Sequence, residues 1–395
     1  MADIYLVRHA QSEANLAGTW QGREDGPLSE IGREQAILLG RRLAGQRFDV
    51  VLSSPLSRAL ATAHEISAEV ERDEAFAEIA IGSWEGKPWS EVQGPPAPWA
   101  RYGGFGETFS EVQHRVWEAI GRLDRRLGED GQALVVTHGG VLDAVLRRLL
   151  GGARRVYAYP ANASVTRLVR RHGRLRLALY NDTSHLGYQP VRPREGGRLL
   201  AIIRHGRTRA NVEGRWQGHS SWTLDDVGVA QAEALARWYG LIDLVYSSPL
   251  ERALHTAGRI ARNGPVVVEG LRELSFGEWE GLTGDEIKAG WPELFERIFV
   301  GGEDLPRGVT GETWREMTAR VKEAIEGLGV APGTVAGVVT HGGSIRAYLA
   351  ALSGGGWRQA ANIDTAPNTG VCHVALGRRG PVILDYGLAP HLQSA

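Results

Sequence analysis

The chain repeats itself, and the repeat is long. Leu6-Val7-Arg8-His9-Ala10 returns as Ile202-Ile203-Arg204-His205-Gly206, displaced by 205 − 9 = 196 residues. Trp20-Gln21-Gly22 returns as Trp216-Gln217-Gly218 at 216 − 20 = 196. Ser53-Ser54-Pro55-Leu56-Ser57-Arg58-Ala59-Leu60 returns as Ser247-Ser248-Pro249-Leu250-Glu251-Arg252-Ala253-Leu254 at 252 − 58 = 194. Glu78 with Gly82-Ser83-Trp84-Glu85-Gly86 matches Glu273 with Gly277-Glu278-Trp279-Glu280-Gly281 at 273 − 78 = 195. Gly106-Glu107-Thr108 matches Gly311-Glu312-Thr313 at 311 − 106 = 205, and Thr137-His138-Gly139-Gly140 matches Thr340-His341-Gly342-Gly343 at 341 − 138 = 203. Blocks kept in order while the offset drifts by a few residues describe a duplicated domain with small loop insertions. The period is far too long for a solenoid unit, so each copy must bury a core of its own. The expected division is 1–185 for the first domain and 198–395 for the second. Residues 186–197 read as a linker because Gly187, Pro190, Pro193, Gly196 and Gly197 crowd there.

Within a copy, apolar runs alternate with amphipathic stretches. Residues 4–7 are a short apolar run that reads as a buried strand. Ser29 caps a helical pattern with Ala36, Leu39 and Leu43 on one face. Val50-Val51-Leu52 predicts a second strand, followed by Ser54 as an N-cap and Pro55 in the first helical turn. Thr108 and Glu111, like Thr313 and Glu316, have the spacing of a capping box, and each pair opens a helix leading to the apolar runs 133–136 and 335–339. After His138 an apolar helix follows. This alternation predicts an α/β fold, two tandem domains each built on a largely parallel sheet flanked by helices.

Composition narrows the functions. With 45 basic and 46 acidic side chains in 395 residues, the net charge is −1, and no basic excess exists to release counterions from a nucleic acid. A single cysteine, Cys372, excludes an intramolecular disulfide framework and a cysteine-rich zinc module, and reads as a small buried hydrophobe. Met1-Ala2-Asp3-Ile4-Tyr5-Leu6-Val7 lacks the basic start of a signal peptide, and nowhere do roughly 18 apolar residues run uninterrupted, as a membrane span requires. A cytoplasmic protein with no membrane partner is expected.

Three of the repeated blocks follow directly on predicted strands, which places them at the carboxyl edge of an open α/β sheet, where ligands bind. They bring together Arg8, His9, Arg58 and His138 in one copy and Arg204, His205, Arg252 and His341 in the other. Two guanidinium groups suit an anion with several oxygens, such as a phosphoryl group. Metal ligation by the histidines is disfavoured: no His-x-His or His-Glu-x-x-His spacing exists, and flanking arginines repel a dication. No cofactor is implied. A neutral imidazole attacks phosphorus well, and nearby arginines favour the neutral form. One histidine can thus carry the phosphoryl group while the other donates to its oxygens. The repeated carboxylate Glu78 or Glu273 is the natural general acid for the leaving oxygen.

Arg-His-Gly after the first strand, Ser-Ser-Pro-Leu-x-Arg-Ala, the Glu-Leu-x-Phe-Gly-x-Trp-Glu-Gly region and Thr-His-Gly-Gly closely resemble the histidine phosphatase superfamily, in its phosphoglycerate mutase-like branch. The resemblance covers both copies. It implies that His9 and His205 are the phosphorylated nucleophiles, that Arg8, Arg58 and His138 with Arg204, Arg252 and His341 complete the phosphate pockets, and that Glu78 and Glu273 donate the proton. It also implies that Asn15 and Asn211 contact the phosphoryl group. One departure is Ala10, where the family pattern has the glycine kept as Gly206; crowding or an unfavourable φ is the expected consequence.

Other repeated residues have structural readings. Glu85 and Glu280 brace a turn and Glu107 and Glu312 precede a capped helix, while Trp20 and Trp216 either stack on a substrate or pack over a loop, and Ser12 and Thr208 either hydrogen-bond phosphate or make local loop bonds. The expected activity is metal-independent hydrolysis of a small phosphomonoester through a phosphohistidine, with a site in each domain. Alternatives are a phosphoglycerate-type mutase, or a first domain reduced to a noncatalytic phosphoryl-binding or regulatory module. By resemblance, the mutases carry adjacent arginines beyond the catalytic glutamate, and neither 86–105 nor 281–308 has such a pair. Arg207 and Arg209 replace Gln11 and Glu13, so the mouth of the second site is expected to be the more positive one.

Overall fold

The computed structural model describes residues 2–92, 97–151, 156–187 and 197–392. It forms two compact units, Met1–Leu149 with Tyr159–Gln189, and Leu150–Ala158 with Pro190–Ala395. The second unit includes the stretch before Tyr159, where Ala158 N–H donates to Ile383 O (2.8 Å) and Ile383 N–H to Val156 O (2.8 Å). The division 1–185 and 198–395 differs from these units at that stretch. Most of the 186–197 linker, residues 188–196, lies outside the described residues.

The first unit holds strands β1 (Asp3–Arg8), β2 (Val50–Ser53), β3 (Glu71–Arg72), β4 (Gln132–Thr137), β5 (Val165–Arg171) and β6 (Arg174–Asp182) in the order β3-β2-β4-β1-β5-β6. The first four are parallel, and β5 and β6 are an antiparallel pair added beside β1. The second unit repeats this with β7 (Arg198–Arg204), β8 (Leu244–Ser247), β9 (Val266–Val267), β10 (Val335–Thr340), β11 (Val371–Gly377) and β12 (Gly380–Ile383), ordered β12-β11-β7-β10-β8-β9. The two orders are the same topology read from opposite edges. Central strands are apolar on both faces, as a sheet covered by helices on both sides requires: β2 is buried throughout, and β4 from Ala133 onward.

The helices form where the caps predict them. Ser29 Oγ accepts from Gly32 N–H (3.0 Å) and opens helix Glu30–Leu43, which buries Ala36, Leu39 and Leu43 against Val7, Val51, Leu134 and Val136. Asp225 caps the counterpart helix Asp226–Tyr239. Thr108 with Glu111 and Thr313 with Glu316 complete capping boxes on Phe109–Leu127 and Trp314–Glu326. Cys372 is buried and its thiol donates to Asp385 O, consistent with its reading as core.

Each capped helix approaches the loop after the first strand closely through a glycine in its first turn. A Cβ on Gly32 would stand 1.9 Å from Gln11 O, and one on Gly228 would stand 2.0 Å from Arg207 O. Gly228→Ala must therefore push the helix off that loop, and it should destabilise the protein by about 1–3 kcal/mol. Gly258, exposed on helix Glu251–Ile260, is the contrasting case, because a Cβ there would meet nothing within 4 Å. At that position alanine should add about 0.5–1 kcal/mol through helix propensity. Urea unfolding midpoints of the two variants, moving in opposite directions, check both statements.

Candidate active sites

Three strand ends supply each site. Arg8 closes β1 beside Thr137 of β4, and His9 N–H donates to Thr137 O (2.8 Å), so the histidines that follow the two strands are neighbours. The rings of His9 and His138 lie 5.0 Å apart between centroids, at 60°. In the second unit Arg204 pairs with Thr340, and the rings of His205 and His341 lie 5.2 Å apart at 56°. All four histidines are buried.

Hydrogen bonds assign the tautomer of the first histidine in each unit. His9 Nδ1 is 2.7 Å from Ala10 O, and His205 Nδ1 is 2.7 Å from Gly206 O. A carbonyl only accepts, so Nδ1 carries the proton and Nε2 keeps its lone pair. His138 Nε2 is 2.7 Å from Ser54 Oγ, and His341 Nε2 is 2.8 Å from Ser248 Oγ. Each serine oxygen also accepts from a backbone N–H, that of Leu56 or Leu250 (3.3 Å each), so the serine ties the second histidine to the turn after the second strand. Nδ1 of the second histidine is buried and, among the described residues, without a partner in both units.

This corrects the reading of Ser54 as an N-cap. The helix runs Ser57–His64, its N-cap is Leu56, and no side chain caps it; Ser54 is engaged with His138 instead. The same holds for Ser248 and helix Glu251–Ile260.

The arginines are held by backbone carbonyls, and among the described residues none of them forms an ion pair with a carboxylate. Arg58 donates to Gly22 O (2.8 Å) and Glu24 O (2.9 Å), and Arg8 donates to Pro160 O (2.6 Å). Arg252 donates to Gly218 O (2.7 Å) and Ser220 O (3.2 Å), and Arg204 to Ala366 O (2.6 Å). The Nε atoms of all four are buried without a partner. Burial, then Arg58 and Arg8, hold His9 well below the ordinary imidazole pKa; burial, then Arg252 and Arg204, do so for His205. His138 and His341 are lowered in the same way.

Glu78 Oε1 accepts from Ile79 N–H (2.9 Å) and Oε2 from Gly140 N–H (3.3 Å), and Glu273 accepts from Leu274 and Gly343 N–H (2.9 Å each). Burial raises the Glu78 carboxyl above the usual carboxylate range. Asn15 and Asn211 stand at the third helical position after Ser12 and Thr208, in capping boxes. Their Oδ1 atoms also accept from Asn162 (2.9 Å) and Asn368 (3.2 Å). All twelve predicted residues thus fall into two matching clusters of six.

Ala10 brings no unfavourable φ. Neither Ala10 nor Gly206 has a positive φ, and both donate from N–H to an equivalent threonine, Thr62 (3.1 Å) and Thr256 (2.9 Å). The expected charge difference at the two mouths is also reduced. Arg207 pairs with Asp225 (2.9 Å), and Arg209, 82% exposed, pairs with Glu213 (2.5 Å). The other carboxylates are braces, as expected: Glu107 binds Arg115 (2.8 Å), Glu312 binds Arg320 (2.8 Å), and Glu85 and Glu280 accept backbone N–H bonds from Arg23 (2.9 Å) and His219 (2.8 Å). Trp216 packs edge-on to Phe276 and Trp279, in the loop core.

Sequence reasoning missed the residues behind the site. Asn162 and Asn368 each donate to the carbonyl of the first histidine, 3.1 and 3.0 Å away, and precede the non-glycine residues Ala163 (φ 56°) and Thr369 (φ 58°) in left-handed backbone. The signal was present: the asparagines repeat at 368 − 162 = 206. Thr369 Oγ1 lies 2.8 Å from Nε2 of His391, a buried histidine lowered to about 4.

Parallel-sheet α/β domains with paired histidines and arginines at the carboxyl edge define a class, the phosphoric monoester hydrolases. The chain belongs to the histidine phosphatase superfamily (branch 1), whose profile matches residues 4–183 and 200–388. It is 32% identical over 203 residues to the putative phosphoserine phosphatase 2 of Hydrogenobacter thermophilus, covering 47% of this chain and 98% of that protein. It is likewise 32% identical over 203 residues to the metal-independent phosphoserine phosphatase of Arabidopsis thaliana (49% and 83% covered). To the glucosyl-3-phosphoglycerate phosphatase of Mycolicibacterium vanbaalenii it is 31% identical over 168 residues (38% and 74% covered). Among the described residues no helix is long and apolar enough to cross a membrane, and no group of three or more His, Cys, Asp or Glu could hold a metal ion.

Because His391 is neutral when folded down to about pH 4 and titrates near 6.5 when unfolded, the unfolded chain binds the extra proton between those values. Stability should fall as pH drops through that window. His391→Asn should remove up to about 1.4 kcal/mol per pH unit from the slope there, measured by urea unfolding between pH 4 and 6.5.

Proposed function

We propose that each unit is a phosphomonoesterase, with boundaries close to 1–185 and 198–395, and that the protein works in the cytoplasm on a small phosphoester. The observation that carries this is the Nε2 lone pair that the Nδ1 bond leaves on His9 and His205, beside guanidinium groups that backbone carbonyls hold and that form no ion pair among the described residues. Nε2 attacks phosphorus, and the bond from phosphorus to the ester oxygen breaks. Glu78 or Glu273 delivers its proton to that oxygen as it leaves. Arg8, Arg58, Nδ1–H of His138 and Nδ2–H of Asn15 hold the phosphoryl oxygens in the first unit; Arg204, Arg252, His341 and Asn211 do so in the second. The carboxylate then takes a proton from water, the water oxygen bonds to phosphorus, the P–N bond breaks, and inorganic phosphate leaves with the histidine restored.

Fixed positive groups supply the charge stabilisation that a metal would otherwise provide. The phosphatase names of the relatives, and the lack of adjacent arginines in 86–105 and 281–308, favour hydrolysis over a mutase reaction. The repetition of every site contact in the first unit favours two working sites over one site and a binding module.

A phosphoester panel on the wild type, His9→Ala, His205→Ala and the double variant tests the reading. The single variants should each retain turnover, and the double variant should lose at least about 1,000-fold. Acid quenching should trap an acid-labile, base-stable phosphoenzyme, and activity should survive EDTA. Label persisting in the double variant, or activity lost to EDTA and restored by a divalent cation, refutes it. In the His9→Ala background, Ser248→Ala should lower kcat by about tenfold with little change in KM, because the hydrogen bond that orients the His341 ring is lost.

A further inference from the structure

The two units differ in charge five residues beyond the second histidine. Asp143 and Arg346 are equivalent positions, at 143 − 138 = 5 and 346 − 341 = 5, on helices Gly139–Leu150 and Gly342–Leu352. Spacings of three and four put Arg346 on the face of its helix that carries Gly342 and Gly343. That face is a wall of the site. A Cβ on Gly342 would stand 3.6 Å from Arg204 Nε, and one on Gly343 would stand 2.3 Å from Glu273 Oε1. Arg346 itself interacts electrostatically with Glu273. Arg346 therefore shares the helix face that borders Glu273, the group assigned to protonate the leaving oxygen.

The Arg346 guanidinium is partly buried and, among the described residues, has no ion pair. Its Nε and Nη2 both donate to Ala360 O (3.1 and 2.9 Å), and it lies 5.4 Å from the centroid of the Trp314 ring. Its carboxylate and phenol neighbours, Asp364, Glu273 and Tyr386, act only at longer range. In the first unit a guanidinium also rests on the first residue of the equivalent helix. There it belongs to Arg147, 4.7 Å from the centroid of the Phe109 ring, and Asp143 cancels its charge at 3.2 Å. One unit thus presents a neutral pair where the other presents a cation. A partly buried, unpaired charge is costly to keep without a use.

We propose that Arg346 makes the second site selective for phosphomonoesters whose leaving group carries a second anion, a carboxylate within a few bonds of the ester oxygen, and that the first site has no such preference. This rests on the phosphatase reading above. The His9→Ala chain isolates the second site and His205→Ala the first. Their probes are 3-phosphoglycerate, which bears the carboxylate, and p-nitrophenyl phosphate, which does not.

In the His9→Ala chain, Arg346→Gln should lower kcat/KM for 3-phosphoglycerate by about tenfold or more through KM, while p-nitrophenyl phosphate changes by less than about twofold. Arg346→Lys should keep most of the preference. In the His205→Ala chain, Asp143→Asn should uncover Arg147 and raise the ratio of 3-phosphoglycerate to p-nitrophenyl phosphate turnover. An unchanged ratio in Arg346→Gln, or an equal fall on both substrates, overturns the assignment. Steady p-nitrophenyl phosphate turnover shows that each variant is folded. Absence of that turnover in the wild type overturns instead the phosphatase reading beneath it.

Discussion

One arginine at the end of the first strand and a second, buried one in the helix after the second strand, both held by backbone carbonyls and neither in an ion pair among the described residues, are the constraint around which each unit is arranged. Such groups need acceptors that do not cancel their charge, and backbone carbonyls meet that need. Gly22 and Glu24 supply them to Arg58, and Pro160 to Arg8. The loops that carry these residues must therefore return to the sheet edge in a fixed shape. Once the arginines are in place, the histidines between them stay neutral by burial and by like-charge repulsion, which keeps a lone pair on Nε2.

The duplication separates what this arrangement demands from what it tolerates. Side chains change freely outside the cluster: Ser12 becomes Thr208, and Arg23 becomes His219, which takes over the contact with the backbone carbonyl of the repeated glutamate, Glu78 O in one unit and Glu273 O in the other. Backbone positions change far less. Ala163 and Thr369 both adopt a left-handed conformation unfavourable to their types, each right after the asparagine that clamps the first histidine. That strain, about 1–3 kcal/mol at such a residue, persists where surrounding bonds over-determine it. In the second unit His391 adds one more bond to that turn, through Thr369.

Most of the site was legible because its residues follow strands directly. A residue one step beyond a parallel strand can only stand at the carboxyl edge, so Arg8, His9 and His138 could be brought together from order alone. Ser54 was legible as a repeated residue but not as a partner of His138, because its place before Pro55 fits an N-cap equally well, and only the distance to Nε2 separates the two readings. The charge of Arg207 and Arg209 was read correctly and its effect was not. Asp225 lies 225 − 207 = 18 residues from Arg207, a separation no period predicts, whereas Glu213 is the i+4 partner of Arg209 on the short helix Arg209–Val212, a turn the sequence reading did not place.

The rims of the sites diverge for a physical reason of their own. Beyond its glutamate the second unit builds helices Gly284–Gly290 and Pro292–Phe299, which bury Ile287 and Ile298 with Trp279 in a small core. The described part of the equivalent first-unit segment has only short turns and leaves Trp99 79% and Phe105 75% exposed. A rim with its own core is a fixed wall and selects by shape and by charges placed behind it. A rim of exposed aromatics offers apolar contact without such a wall. The histidine–arginine cluster repeats in both units, so on the proposed reading any discrimination lies outside it, where the rim and the charge at Asp143 or Arg346 differ.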